Sequence, residues 1–234
     1  MSVSPTPARL LDGARVLIVG ASGGLGRPLA AVLTARGAHL ALAGRDGSRL
    51  GGLGVDAGRT FAFDLADSGS AKPLIGAATE ALGGLDGVIC CAGAVAFGPL
   101  DEIPIDVLHE LVAVDLVGPL VLARAAIPVL PRGGFVLNIS GIVAEIPTAG
   151  LVAYSAAKAG ISAGFRALAR EVRPRGISVI DVRPPHTETG LAARPLHGEP
   201  PKMRPGLDPG AVAERLVRAI EFDERDVPAS SFAP

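Results

Sequence analysis

The 234-residue chain has no tryptophan, one tyrosine, two methionines and two cysteines, and aromatic side chains make up 3% of it. Two adjacent cysteines, Cys90 and Cys91, leave no disulfide framework and no thiolate metal centre. In a strand they point to opposite faces, so we read them as small buried hydrophobes in a reducing cytoplasm. His39, His109, His186 and His197 show no metal-ligand spacing, and no metal is expected. Lysine occurs only at Lys72, Lys158 and Lys202. Neither sign of charge dominates: the net charge is −1. That gives no reason to expect a nucleic acid or an anionic membrane as partner. Long apolar runs are missing too. The most apolar stretch, Val112 to Leu130, is interrupted by Asp115, Gly118, Pro119, Arg124 and Pro128, which argues against a spanning helix. No charged-then-apolar leader opens the chain, so a cytoplasmic location is expected.

Glycine is abundant, and the mean hydropathy is +0.43. In a chain without spans, that value fits a parallel sheet covered on both faces. The apolar periodicity predicts strands at Arg15–Val19, His39–Ala43, Thr60–Phe63, Gly87–Cys91, Phe135–Ile139 and Ser178–Val182. Helices are predicted at Leu25–Arg36, Ala71–Leu82, Ile105–Val129, Leu151–Val172 and Pro209–Glu221. This alternation predicts a single α/β domain over 13–234, a Rossmann-like doubly wound parallel sheet with helices on both faces. Residues 1–12 read as a flexible N-terminal tail. The proline-rich segment around 185–208 reads as a substrate lid at the sheet's C-terminal edge.

Two motifs carry chemistry. After the first strand comes Gly20-Ala21-Ser22-Gly23-Gly24-Leu25-Gly26, which runs into a helix. Glycines let the backbone approach a pyrophosphate, and the helix start offers free N–H groups and the positive end of its dipole. The only tyrosine, Tyr154, stands four residues before Lys158, on one face of a predicted helix. A fixed cation there should draw the phenol pKa down from about 10 toward the working range of an acid–base catalyst.

With these pieces the chain resembles the short-chain dehydrogenase/reductase family over residues 13–222. The resemblance also takes in Asp64-Leu65, Ala92-Gly93, Asn138-Ile139-Ser140 and Pro184 through Thr189. It implies hydride transfer between a nicotinamide and a ketone or alcohol, with Tyr154 as acid/base and Lys158 on the nicotinamide ribose. Implied cofactor contacts are Gly20, Ser22, Gly23, Gly24, Leu25, Gly26, Arg45, Asp64, Leu65, Cys91, Ala92, Gly93, Tyr154, Lys158, Pro184, Thr187 and Thr189. Asp64 would bond the adenine, and Thr187 or Thr189 the carboxamide or phosphates. A homodimer or homotetramer through the helices at 105–129 and 151–172 is implied as well. The second strand ends Ala43-Gly44-Arg45, with glycine where an acid would grip a ribose 2′-hydroxyl and an arginine fork suited to a 2′-phosphate. NADP(H) is therefore preferred over NAD(H).

The chain departs from the family in its active site. Gly141 stands where the family has its catalytic serine, and the neighbouring Ser140 is the nearest replacement, provided the strand bulges. Asp115 stands where the family has an asparagine; its charge should raise the tyrosine pKa and steady Lys158 as a cation. Ser140 and Asp115 therefore join Tyr154 and Lys158 as catalytic candidates. His186 and Thr187 are candidates for the missing hydrogen bond. Two other readings stand beside the oxidoreductase: a non-catalytic dinucleotide-binding redox sensor, and an epimerase or dehydratase of the family's extended branch.

Overall fold

The computed structural model describes residues 7–67 and 69–232. Seven parallel strands form one sheet in the order β3-β2-β1-β4-β5-β6-β7. They are β1 (Arg15–Val19), β2 (His39–Gly44), β3 (Thr60–Ala62), β4 (Gly87–Cys90), β5 (Phe135–Ile139), β6 (Ser178–Val182) and β7 (Asp226–Val227). The apolar strands alternate their side chains between two core layers. Val16, Ile18, Ile89 and Leu137 lie under helices α1 (Gly26–Ala35) and α6 (Pro209–Glu221). Leu17, Val19, Val88 and Val136 lie under α2 (Ala71–Leu82), α4 (Gly118–Ala126) and α5 (Val152–Glu171). Both faces are thus covered, which explains why these strands are apolar throughout rather than alternating. The order reverses between β1 and β4, and there the C-terminal strand ends open a crevice.

Three sequence expectations change. The predicted helix Ile105–Val129 is interrupted: α3 (Ile105–Val112) passes through a π-helical turn, Ala113–Val117, into α4. Pro119 explains this, because it lacks the N–H that would bond the Asp115 carbonyl and its ring crowds that carbonyl. The expected tail is anchored where it is described. Leu11 is buried, and Arg9 donates to the carbonyls of Gly133 and Ile220 and to Ser178 while its guanidinium stacks 5.0 Å from the Phe135 ring. Residues 1–6 of that expected tail lie outside the described residues. Finally, the two-residue strand β7 closes the sheet beyond the six that were predicted; it is too short for periodicity to reveal.

Candidate functional site

The glycine loop lies at the crevice. A Cβ at Gly20 would sit 2.6 Å from the Ala92 nitrogen, and one at Gly24 only 2.2 Å from the Thr189 oxygen. The segments after β1, β4 and β6 therefore meet backbone to backbone, which no side chain would allow. Within the loop, the N–H groups of Gly20 and Ala21 bond the Ala43 carbonyl, and that of Gly23 bonds Gly20. Those of Ser22, Gly24 and Leu25 have no protein acceptor among the described residues, an arrangement that fits a phosphate at a helix start. Beside them, a Cβ at Gly44 would lie 3.3 Å from Ser22 Oγ, and the exposed Arg45 follows. Arg27 is a cation the sequence reading passed over; it donates to the carbonyls of Ser22 and Arg49 beside the loop. Its place directly after the glycines was the available signal.

Tyr154 and Lys158 lie in the first two turns of α5, with Lys158 Nζ 5.8 Å from the ring centroid. Lys158 is buried, donates to the Ile139 carbonyl at 3.0 Å, and pairs with Asp115 Oδ1 at 3.1 Å. The π-helical turn supplies Asp115, which is fully buried; its Oδ1 also accepts from the Ala94 N–H, and its Oδ2 has no partner among the described residues. Gly93 completes this corner: a Cβ there would lie 3.0 Å from Asp115 Oδ1 and 3.5 Å from Lys158 Nζ. The structure thus brings together Tyr154, Lys158, Asp115, Ala92 and Gly93. Asn138, on the neighbouring strand, is buried, and its Nδ2 has no partner among the described residues.

Electrostatics here differ from the sequence expectation in one respect. Lys158 does pull the Tyr154 phenol down, but burial is the larger effect and Asp115 adds to it, so the phenol lies above its ordinary value. Lys158 is held well above the ordinary lysine value, because Asp115 and Tyr154 outweigh its desolvation. Asp115 is itself pushed up by burial against the pull of Lys158. We read the pair as ionised, since a 3.1 Å contact to an ammonium calls for a carboxylate acceptor.

Ser140 is not a replacement for the missing serine. It is fully buried, and its hydroxyl donates to Asp181 Oδ1 at 2.7 Å. Asp181 also accepts from Ser162 and from Arg183, and Arg183 reaches Glu145 and Asp226 besides. This buried network was missed, although an Asp inside the apolar strand Ser178–Val182 was its signal. Gly141 has φ 75° and ψ 164°, and a Cβ there would meet nothing within 4 Å. Neither proposed substitute is free: Thr187 donates to the Pro185 carbonyl, and His186 lies 3.4 Å from Glu188.

The remaining residues fall into place around the crevice. Asp64 is exposed and accepts from the Ala66 N–H, and Leu65 is buried with its carbonyl against Gly118. Cys91 is partly exposed, and its thiol contacts the Val19 carbonyl. Burial pushes the Cys90 thiol up to about 12, far from a reactive thiolate. Pro184 is buried, with its carbonyl accepting from the Ile142 N–H. The segment 185–208 lies across the edge: Leu196 donates to Val95, and His197 accepts from the Phe97 N–H.

Against this geometry, the short chain dehydrogenase family model matches residues 14–199. The glycine betaine reductase of Emericella nidulans is 32% identical over 95% of this chain, which spans only 19% of that protein. An uncharacterized oxidoreductase of Staphylococcus aureus strain N315 is 28% identical, covering 87% of this chain and 89% of the relative. A short chain dehydrogenase from Burkholderia cenocepacia J2315, solved in complex with NADP, superposes with TM-score 0.82 at 27% identity. That match covers 96% of this chain and 100% of the other. A dehydrogenase/reductase from Sinorhizobium meliloti 1021 gives 0.81 at 26% identity, covering 96% and 98%. Among the described residues, no helix is long and apolar enough to cross a membrane.

Proposed function

This chain belongs to the short-chain dehydrogenase family of dinucleotide-dependent oxidoreductases, and on that premise we propose that it is an NADP(H)-dependent enzyme interconverting a ketone and its alcohol. The observation that carries the reading is the convergence of Tyr154, Lys158 and Gly93 on the crevice that also holds the glycine loop. The bound nicotinamide supplies or accepts the hydride. Tyr154 gives its hydroxyl proton to the carbonyl oxygen, or takes one from the alcohol. The phenol is protonated at neutral pH, the form that donates in the reductive direction. Lys158 stays cationic beside it and would hold the ribose hydroxyls. The open N–H groups of Ser22, Gly24 and Leu25 would receive phosphate oxygens, and Arg45, exposed at the end of β2, would meet a 2′-phosphate, with Arg27 beside the loop. The segment 185–208 acts as the lid.

The test is a fluorescence titration of the full chain with NADPH and with NADH. NADPH is expected to bind tightly and NADH weakly. Arg45→Ala should weaken NADPH by roughly 10- to 100-fold, the loss of a charge-assisted hydrogen bond, and leave NADH unchanged. Tyr154→Phe should keep NADPH binding and lose about 10²- to 10⁴-fold in turnover. Equal affinity for the two dinucleotides would overturn the role of Arg45. Binding of neither would overturn the oxidoreductase reading. Full turnover by Tyr154→Phe would do the same for its proton-transfer role.

A further inference from the structure

Resting on the oxidoreductase reading, and going beyond it to the substrate, we infer that the site takes a neutral carbonyl compound with an apolar body and rejects anionic oxo acids. Tyr154 packs against a small cluster separate from the two main core layers. Ala96, Ile103 and Leu111 are its buried members, and Val107, Leu108 and Leu196 lie partly buried on it. Three elements contribute. The chain after β4 brings Ala96 and Ile103, α3 brings Val107, Leu108 and Leu111, and the segment 185–208 brings Leu196.

That segment is what decides the chemistry. Its sequence mixes apolar and basic residues and is compatible with either kind of substrate. In the fold, the Leu196 N–H bonds the Val95 carbonyl at 2.8 Å and the Phe97 N–H bonds His197 at 2.9 Å, which lays Leu196 on the Tyr154 cluster. Arg194, Lys202 and Arg204 are left exposed, and Arg194 is turned back onto the Gly190 carbonyl.

The cations already inside are committed. Lys158 is paired with Asp115, and Arg183 is shared among Glu145, Asp181 and Asp226. A carboxylate brought to Tyr154 would lose its hydration and, among the described residues, find both buried cations already paired, a burial cost that few contacts offset. Asp101 and Glu102 before α3 and Asp106 and Glu110 along it are exposed and would repel it on approach. An apolar body instead displaces water from apolar walls. Large apolar side chains are exposed on the flanking stretches: Leu100 before α3 and Ile105 at its start, Ile146 before α5 and Val152 at its start.

The test measures affinity by calorimetry on the NADPH-loaded full chain, using 2-alkanones from butanone to nonanone and the 2-oxo acids of matching length. Each methylene buried in the lining should lower Kd by about fourfold, the equivalent of about 0.8 kcal/mol. Each oxo acid should bind at least tenfold more weakly than its ketone. Leu196→Asn should flatten the dependence on chain length. Val107→Asn, on a partly exposed face of α3, should give the same flattening and serves where the first variant does not fold. Affinity independent of chain length, or tighter binding of the oxo acids, overturns the inference. NADPH oxidation recorded in the same mixtures separates the two claims. Length-dependent binding without any turnover counts against the oxidoreductase reading and leaves the apolar site standing.

Discussion

Asp115 holds the charge balance of the site. Its Oδ1 is shared by Lys158 and the Ala94 N–H while its Oδ2 is left without a partner in the interior, so the carboxylate is only half satisfied. Lys158 depends on it: burial alone would favour the neutral amine, and Asp115 is the main opposing cause. The sign of the consequence follows. A lysine held above its ordinary 10.5 in the fold contributes stability that is complete below that value and is lost as pH rises through the folded pKa. In Asp115→Asn the desolvation is left less opposed, so the Lys158 pKa must fall. With only three lysines in the chain, labelled-lysine NMR can follow this directly: the Lys158 signal should titrate at lower pH in the variant than in the parent. An unchanged titration would remove Asp115 from the charge balance.

Among the elements, the connection from β5 into α5 carries Gly141 where the resemblance leads one to expect a serine. At φ 75° and ψ 164° it occupies backbone space that side-chain-bearing residues avoid, although a Cβ there would strike nothing. Restoring a serine is therefore a question of backbone strain and not of room. Gly141→Ser should destabilise the protein by about 1–3 kcal/mol, a fall in Tm of roughly 2–12 °C for a chain of this size, read by scanning calorimetry. An unchanged or higher Tm would mean that this turn readily adopts another conformation. The π-helical turn before α4 follows the same logic, because Pro119 decides the local geometry that carries Asp115 into the interior.

At the scale of the whole molecule, the sheet order places every site segment at one edge and leaves the outer faces of α4 and α5 uncovered. Val117 and Leu120 are 41% and 36% exposed there. A cavity of about 400 Å³ runs between the two helices, lined by Leu120, Arg124, Ile127, Gly164, Leu168 and Glu171. The resemblance predicts a homodimer or homotetramer through these helices, and an uncovered apolar face agrees with it. Light scattering should give two or four times the 23.5 kDa of one chain, and Leu120→Arg should lower that mass. A monomer at all concentrations would overturn the expectation.

Local chemistry was enough to read the strands β1, β5 and β6, the helices α2 and α6, the glycine loop and the Tyr154/Lys158 pair. Each of these is written in a short run of residues: an apolar stretch, a proline or glycine boundary, or an i,i+4 spacing. The anchoring of Arg9 and the joining of Ser140 to Asp181 and Arg183 depend on residues far apart in sequence, and no periodicity reports them. The direction of the Tyr154 shift also belonged to the tertiary structure. Proximity of a cation can be read from spacing, whereas desolvation depends on what the rest of the fold stacks around the ring. The same holds for the apolar wall, whose residues come together only when three separated segments meet beside Tyr154.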